Sequence, residues 1–428
     1  MRHKYIKYFL TPIIVLSISF STATAQKSNR ENAPYSRFGI GEYRNGANPL
    51  LKGMGSITTA YSNPFAVNSY NPASYASLKL TLYEAGGIAS TRTIFSGSDK
   101  YPTGQATLSN INIGIPVSKN AGMALGLRPY SHVYYNLKDT SVQPGLGNSV
   151  TTYLGDGTMH YAFIGAGGKY KGFSVGFNFG YLFGSINKST FIESLEDLNT
   201  VKVSNSEFSQ HTRIGGIHWN AGIQHVANIN DKLSLRSGAT LSLSQKLKAS
   251  RQEYWIALSR VVAGSEDTAF ASKATDGQYT LPMSYSVGVQ LTSTDSWTLG
   301  LDFTGTQSSQ FRNYGNVDSV AGYSYRIALG GEFTPDPSAT RQYLQRVTYR
   351  LGAYYGTDNV YLNNTQFDYY AVTFGASLPF KRSNDRLHTA FEIGKRGTES
   401  NGLFRENFFK FSLGITLNDK WFIKRRYD

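Results

Sequence analysis

The chain of 428 residues contains no cysteine. That excludes a disulfide framework, a cysteine-ligated zinc site and the lipidated cysteine of a lipoprotein. Beyond its first 25 residues the chain also lacks any run approaching the ~20 apolar residues of a membrane-spanning helix. One membrane architecture survives this absence, because a β-barrel hides its apolarity in alternation. Charge is sparse too, with Asp, Glu, Lys and Arg together at 16%. In their place stand Gly 43, Tyr 30 and Phe 25, a composition that suits a glycine- and aromatic-rich barrel better than a soluble enzyme.

The first residues carry an address. Arg2, Lys4 and Lys7 form a basic start, Phe9 to Phe20 an apolar stretch, and Ala23-Thr24-Ala25 a small-residue cleavage site. This pattern predicts a signal peptide over 1–25, cleaved near Ala25, and export to the outer membrane. The formal net charge of +14 then points to phosphate-rich outer-membrane lipid as the counter-charge, and no nucleic acid is expected.

The stretch Phe173-Ser174-Val175-Gly176-Phe177-Asn178-Phe179-Gly180-Tyr181-Leu182-Phe183 places a large apolar residue at every odd position. Even positions, apart from Leu182, are small or polar. A period of two is the mark of a strand, whose successive side chains point to opposite faces. An aromatic row opposite a row of Ser, Gly and Asn describes a strand with lipid outside and a crowded, wet lumen inside. Similar rows recur at Trp297/Leu299/Leu301/Phe303, Val372/Phe374/Ala376/Leu378/Phe380 and Phe409/Phe411/Leu413/Ile415/Leu417. About fourteen such segments follow one another from 79–96 to 406–418. The fold class expected is all-β: a transmembrane antiparallel β-barrel with an N-terminal plug.

Connections alternate in length. Lys119-Asn120, Lys171-Gly172, Asn228 to Asp231, Ser293 to Asp295 and Arg382 to Asp385 are short, and only Pro335 to Tyr343 among this set is longer. The intervening set includes 138–157, 193–207 and 249–279, read as long loops. Short periplasmic turns and long outer loops are the barrel rule, which places 249–279 outside the cell and Lys381-Arg382 in the periplasm. Aromatic pairs such as Tyr134-Tyr135 and Tyr369-Tyr370 suit interfacial belts. The domain reading is a signal peptide (1–25), a plug (26–78), a barrel (79–418) and a basic periplasmic tail (419–428). The plug segment lacks alternation but holds Tyr35, Ile40, Leu50, Leu51, Met54, Ile57 and Tyr75, too many buriable side chains for a flexible linker.

Within the plug, Gly53-Met54-Gly55-Ser56 is followed by Ala60-Tyr61-Ser62-Asn63-Pro64 and by Asn71-Pro72-Ala73-Ser74-Tyr75. A glycine-rich run ending in Asn-Pro-Ala just before the first strand resembles the hatch of FadL-type outer-membrane transporters. The third strand, Ala124-Leu125-Gly126-Leu127-Arg128-Pro129-Tyr130, carries a proline that cannot donate to a ladder and belongs at a kink or bulge. The resemblance implies that this kink, at Arg128 and Pro129, opens a lateral exit beside the hatch. It also implies that the chain takes up hydrophobic small molecules such as long-chain fatty acids passively. Asn71, Pro72 and Ala73 would anchor the plug and are expected beside Pro129, where the ladder leaves backbone groups unpaired. The same fold also serves as a barrel subunit that receives cargo from the type IX secretion translocon. The alternative expectation is therefore a subunit of an outer-membrane secretion or assembly machine, with envelope proteins as partners.

Following the alternation, Arg128, Arg236, Asp302, Arg326, Glu332, Arg350 and Glu392 point into the lumen. Charges there must be paired or wet; they are expected to pin the plug or to form a polar step. No catalytic arrangement is expected. His211, His218 and His225 are spaced by an odd number, so neighbours face opposite ways, and the outer two lie roughly 45 Å apart along a strand. They cannot share a metal, and no metal or cofactor is expected.

Overall fold

The computed structural model describes residues 32–143, 147–195, 205–258, 266–293, 296–339, 341–381 and 383–421. The expected signal peptide, Arg382 and residues 422–428 of the basic tail lie outside them. A closed antiparallel barrel of 14 strands is built in simple up-and-down order. The strands are β1 (Thr81–Ser96), β2 (Asp99–Ser118), β3 (Ala121–Gln143), β4 (Gly147–Tyr170), β5 (Phe173–Ser194) and β6 (Asn205–Asn228). β7 joins Leu233–Ser242 to Gln245–Leu258, and β8 joins Glu266–Ala271, Thr275–Leu281 and Ser284–Ser293. The barrel continues through β9 (Trp297–Thr306), β10 (Ser324–Phe333), β11 (Thr348–Leu362), β12 (Thr365–Pro379), β13 (Arg386–Gly397) and β14 (Arg405–Asp419). Pairing of β14 with β1, from Asp419↔Thr81 to Arg405↔Phe95, closes the circle.

The alternation sorts as a lipid-facing wall requires. On β5, Phe173, Val175, Phe177, Phe179, Tyr181 and Phe183 are exposed, while Ser174 and Asn178 are buried. Leu182, the exception in the sequence pattern, faces inward and is fully buried. Trp297, Leu299 and Leu301 are likewise exposed, and Thr298 and Asp302 buried. No helix among the described residues is long and apolar enough to cross a membrane.

Two expected loops are largely strand. Residues 138–143 and 147–157 extend β3 and β4, which stay paired to Gln143↔Gly147. Within 249–279, β7 and the first parts of β8 pair from Leu281↔Gln245 to Glu266↔Leu258. The physical reason is plain. Beyond the lipid both faces of a strand are wet, so Asn136, Lys138 and Thr140 occupy positions where an apolar row would stand lower down. Pairing continues while the period-two signal disappears. β3 to β6 run 23, 24, 22 and 24 residues, roughly twice the ~9–11 needed to cross.

Residues 32–78 lie within the barrel. Asn48 caps a short helix, Pro49–Lys52, by accepting from Leu51 N, with Pro49 at its first position; this is the order in which such residues start helices. Asn71 and Pro72 start a 3-10 turn, Pro72–Ser77, in the same way. Leu50, Leu51, Met54, Ile57, Tyr61 and Ala66 pack together with Ala328 of the wall. Their backbone reaches the wall where the strands carry glycine: a Cβ on Gly352 would stand 2.2 Å from Gly55 N and 2.4 Å from the Met54 carbonyl carbon.

Gly352→Val is therefore expected to lower stability by about 1–3 kcal/mol, the usual range for overpacking. Gly322→Ala, which meets nothing within 4 Å, is expected to be neutral. The temperature at which the folded, heat-modifiable gel band converts to the unfolded one reads both.

Candidate functional site

The ladder between β2 and β3 begins at Ser118↔Ala121 and stops at Ile111↔Leu127. Above that point β2 keeps β1 and β3 keeps β4, so the wall has a seam. It starts where Tyr130 is bulged out of register between Pro129↔His160 and Ser131↔Met159. A proline with no N–H and an extra residue end the pairing with β2 and reverse the faces of β3 beyond it. Arg128 faces inward below the bulge, and Ser131, Val133 and Tyr135 above it.

The plug fills this seam. Glu42 and Tyr43 form a two-residue strand paired antiparallel to His132 and Ser131. Arg44 N donates to Tyr130 O and Ala33 N to Tyr134 O, both at 2.9 Å. The Asn32 side chain both donates to Asn136 O and accepts from Asn136 N, while its backbone N–H reaches Thr103 Oγ1 of β2 at 3.1 Å. Gly41 makes the approach possible: its φ is +94° and a Cβ would stand 2.5 Å from His132 O.

A buried charge cluster clamps the same segment. Arg92 of β1 bonds Glu42 at 2.9 Å and Glu406 of β14 at 2.6 Å. Arg396 of β13 bonds Asp358 of β11 at 2.7 Å and lies 3.4 Å from Glu42. Burial by itself would raise the Glu42 pKa, but Arg92 and Arg396 outweigh it and hold the carboxyl well below its ordinary value. The Tyr35 hydroxyl donates to Phe404 O and accepts from Phe404 N, fixing the segment to the connection before β14.

The expected lumen charges divide into two groups. Four touch the plug: Asp302 accepts from Thr58 N and Thr59 N, Arg236 donates to Ser62 O, Arg326 to Gly55 O and Arg128 to the Tyr70 hydroxyl. Three are tied within the wall, Arg350 to Glu332 at 2.8 Å and Glu392 to Lys410 at 2.8 Å. Asn71 donates to Thr59 O and Ile223 O and accepts from Ala73 N. Pro72 and Ala73 lie against Gly176 and Pro72 also against Gly167. None of Asn71's hydrogen bonds reaches Pro129, contrary to expectation, because residues 32–44 occupy the backbone groups at the kink. A cavity of about 610 Å³ lies between the plug and the wall and reaches both sides of the seam, at Leu108 and Ser109 of β2 and Leu127 to Tyr130 of β3.

Sequence reasoning missed several anchors. Glu84 accepts from Val67 N and Asn112, Asn178 donates to Ser69 O and accepts from the Tyr75 hydroxyl, and Gln224 donates to Thr59 O and Tyr61 O. Their one signal was a polar residue on an inward row, as at Phe177-Asn178-Phe179. The Glu42 strand had no signal, since its partners are remote in sequence.

A plugged up-and-down barrel of fourteen strands with a seam at its third strand has the fold of the FadL-type barrels. The family model described as BamG matches residues 5–428, and the chain belongs to that family. No curated protein matches. Among solved structures, the CymD monoaromatic hydrocarbon channel aligns at 14% identity over 88% of this chain and 98% of its own, with a TM-score of 0.56. A Pseudomonas aeruginosa FadL homologue gives 14% identity, 88% and 99% coverage and a TM-score of 0.58. The P. putida toluene transporter TodX gives 13%, 88% and 99%, and 0.59. Identities this low show a shared fold.

Two substitutions test the clamp and its surroundings. Glu42→Gln should cost roughly 1.5–3 kcal/mol, as for a hydrogen bond to a charged group, and read out as faster amide exchange confined to residues 32–45. In the unsubstituted protein this contribution is present above the ordinary glutamate pKa of ~4.3. It is lost as pH falls through the lower pKa of the folded state. Lys52, in the plug helix, donates to Ser109 Oγ, and burial pushes its pKa down to about 7. The unfolded chain binds the proton more tightly, so stability should rise between about pH 7 and ~10.4. Lys52→Met should remove that rise in urea unfolding measured across this range.

Proposed function

We propose that this chain is a barrel subunit of an outer-membrane protein assembly or secretion machine, one that binds protein partners while its own lumen stays shut. The observation that carries this reading is the closed seam. Lateral release needs a wall open beside the third strand, and here Asn32 bridges β2 and β3 while Glu42 is locked into the buried clamp. The tall wall of β3 to β6 supports it, because strands rising beyond the lipid present a broad surface to other proteins. Membership of the BamG family rather than one named for a hydrocarbon cargo is consistent with it. In this reading the short turns face the periplasm and residues 1–25 are removed near Ala25.

A second reading, passive uptake of hydrophobic small molecules such as long-chain fatty acids, is favoured by one observation. The cavity touches Leu108, Leu127 and Pro129 at the end of the ladder. Displacing residues 32–44 would join it to the bilayer, and transfer of apolar surface out of water, ~25 cal/mol per Å², would drive exit. Among the proteins of similar fold, CymD is a monoaromatic hydrocarbon channel and TodX a toluene transporter.

One experiment separates the two. The partner-binding reading expects stoichiometric envelope proteins to copurify in mild detergent. Depleting the chain should then lower the folded fraction of other outer-membrane barrels, with uptake of a hydrophobic probe unchanged by Pro129→Val. If the chain purifies alone, other barrels fold normally and Pro129→Val abolishes uptake, the channel reading replaces it.

A further inference from the structure

The connection from β10 to β11 is the longest at the short-turn end of the barrel. It carries a 3-10 turn, Tyr343–Arg346, closed by Val347 N to Leu344 O and by Asp336 N to Gln345 O. The turn displays its apolar residues outward: Leu344 is 69% exposed and Tyr343 41%. One exposed leucine means little by itself; an apolar pair continuous with other exposed rings marks a contact surface.

The position of the turn identifies that partner. The Tyr349 hydroxyl donates to Leu344 O at 3.2 Å. Tyr349 stands on the outward row of β11, opposite Phe333, which is opposite Trp297. All three rings are exposed and form the aromatic girdle expected where a barrel meets the membrane surface. Leu344 is thus held against the lipid-facing side of the wall, not beneath the lumen. Arg341 and Arg346 flank the apolar pair, with the Arg346 guanidinium 5.4 Å from the Tyr343 ring and Arg341 exposed. Apolar side chains beside a girdle with guanidinium groups at their edges suit the boundary between acyl chains and phosphates.

We infer that the 341–347 turn is a membrane foot: Tyr343 and Leu344 insert into the phospholipid leaflet at the short-turn end, and Arg341 binds its phosphates. The partner is the phospholipid surface, an extension of the belt already formed by Trp297, Phe333 and Tyr349. The inference does not depend on whether the barrel binds proteins or conducts a small molecule.

The absence of cysteine makes the test direct, since a single introduced cysteine takes a spin label at one place. The full chain carrying Leu344→Cys is reconstituted in vesicles of phosphatidylethanolamine and phosphatidylglycerol, with folding checked by the heat-modifiable band. Accessibility to oxygen and to a water-soluble nickel chelate is then compared with Phe333→Cys as the lipid reference and Ser338→Cys as the aqueous one. The expected result is a label at Leu344 open to oxygen and shielded from nickel, like that at Phe333. Adding Arg341→Glu should lower its oxygen-to-nickel ratio severalfold. A Leu344 label open to nickel, like Ser338, places the turn in water and overturns the inference. One closed to both reagents shows a protein covering and overturns it too. An unchanged ratio in Arg341→Glu removes the phosphate contact.

Discussion

A strand that leaves its neighbour within a membrane must find another partner for its backbone, because hydrocarbon offers no hydrogen bonds. In this barrel that demand falls on β3 above Leu127, where Pro129 and the bulged Tyr130 end its pairing with β2. The plug answers it with the Glu42–Tyr43 strand, the backbone of Ala33 and Arg44, and the Asn32 side chain standing in for a residue of the ladder. The path of the N-terminal segment follows from this requirement. So does the need for glycine at position 41, where the two backbones come too close for a side chain.

The charges in the lumen make sense in the same terms. A guanidinium or carboxylate enclosed by a wall and a plug is costly unless it is paired and hydrogen-bonded. Arg92, Arg396, Glu42, Asp358 and Glu406 pair with one another across four strands and the plug. Asp302, Arg236, Arg326 and Arg128 are satisfied by the plug directly. Removing one partner strands the other in a buried place, so the plug and the wall hold each other in a single arrangement. A plug tied at so many points and a seam so closed oppose free passage along the lumen.

Outside, the lipid-facing rows do a different task. They continue around the barrel for the thickness of the membrane and give way to polar faces above it, where β3 to β8 carry on as a paired sheet. At the other end the girdle of Trp297, Phe333 and Tyr349 marks the limit of the lipid, and the Tyr343–Leu344 turn is attached to it.

The amino-acid sequence by itself determined what depends on neighbours along the chain. The strands within the lipid, their inward and outward rows, the short turns and the kink at Pro129 were legible, because period two, proline chemistry and turn chemistry are local properties. The lumen placement of Asp302 and Arg236 followed from the same alternation. Only the tertiary structure decided what depends on residues far apart. It extended the strands through 138–157 and 249–279, where two wet faces erase the periodic signal. It placed Asn71 against β6 instead of the kink, and it brought Glu42 to Arg92, Arg396 and Glu406. Those choices are made by backbone groups and charges that have to be satisfied in an enclosed interior. Which distant residue satisfies them is set by the closure of the barrel, and no local pattern records it.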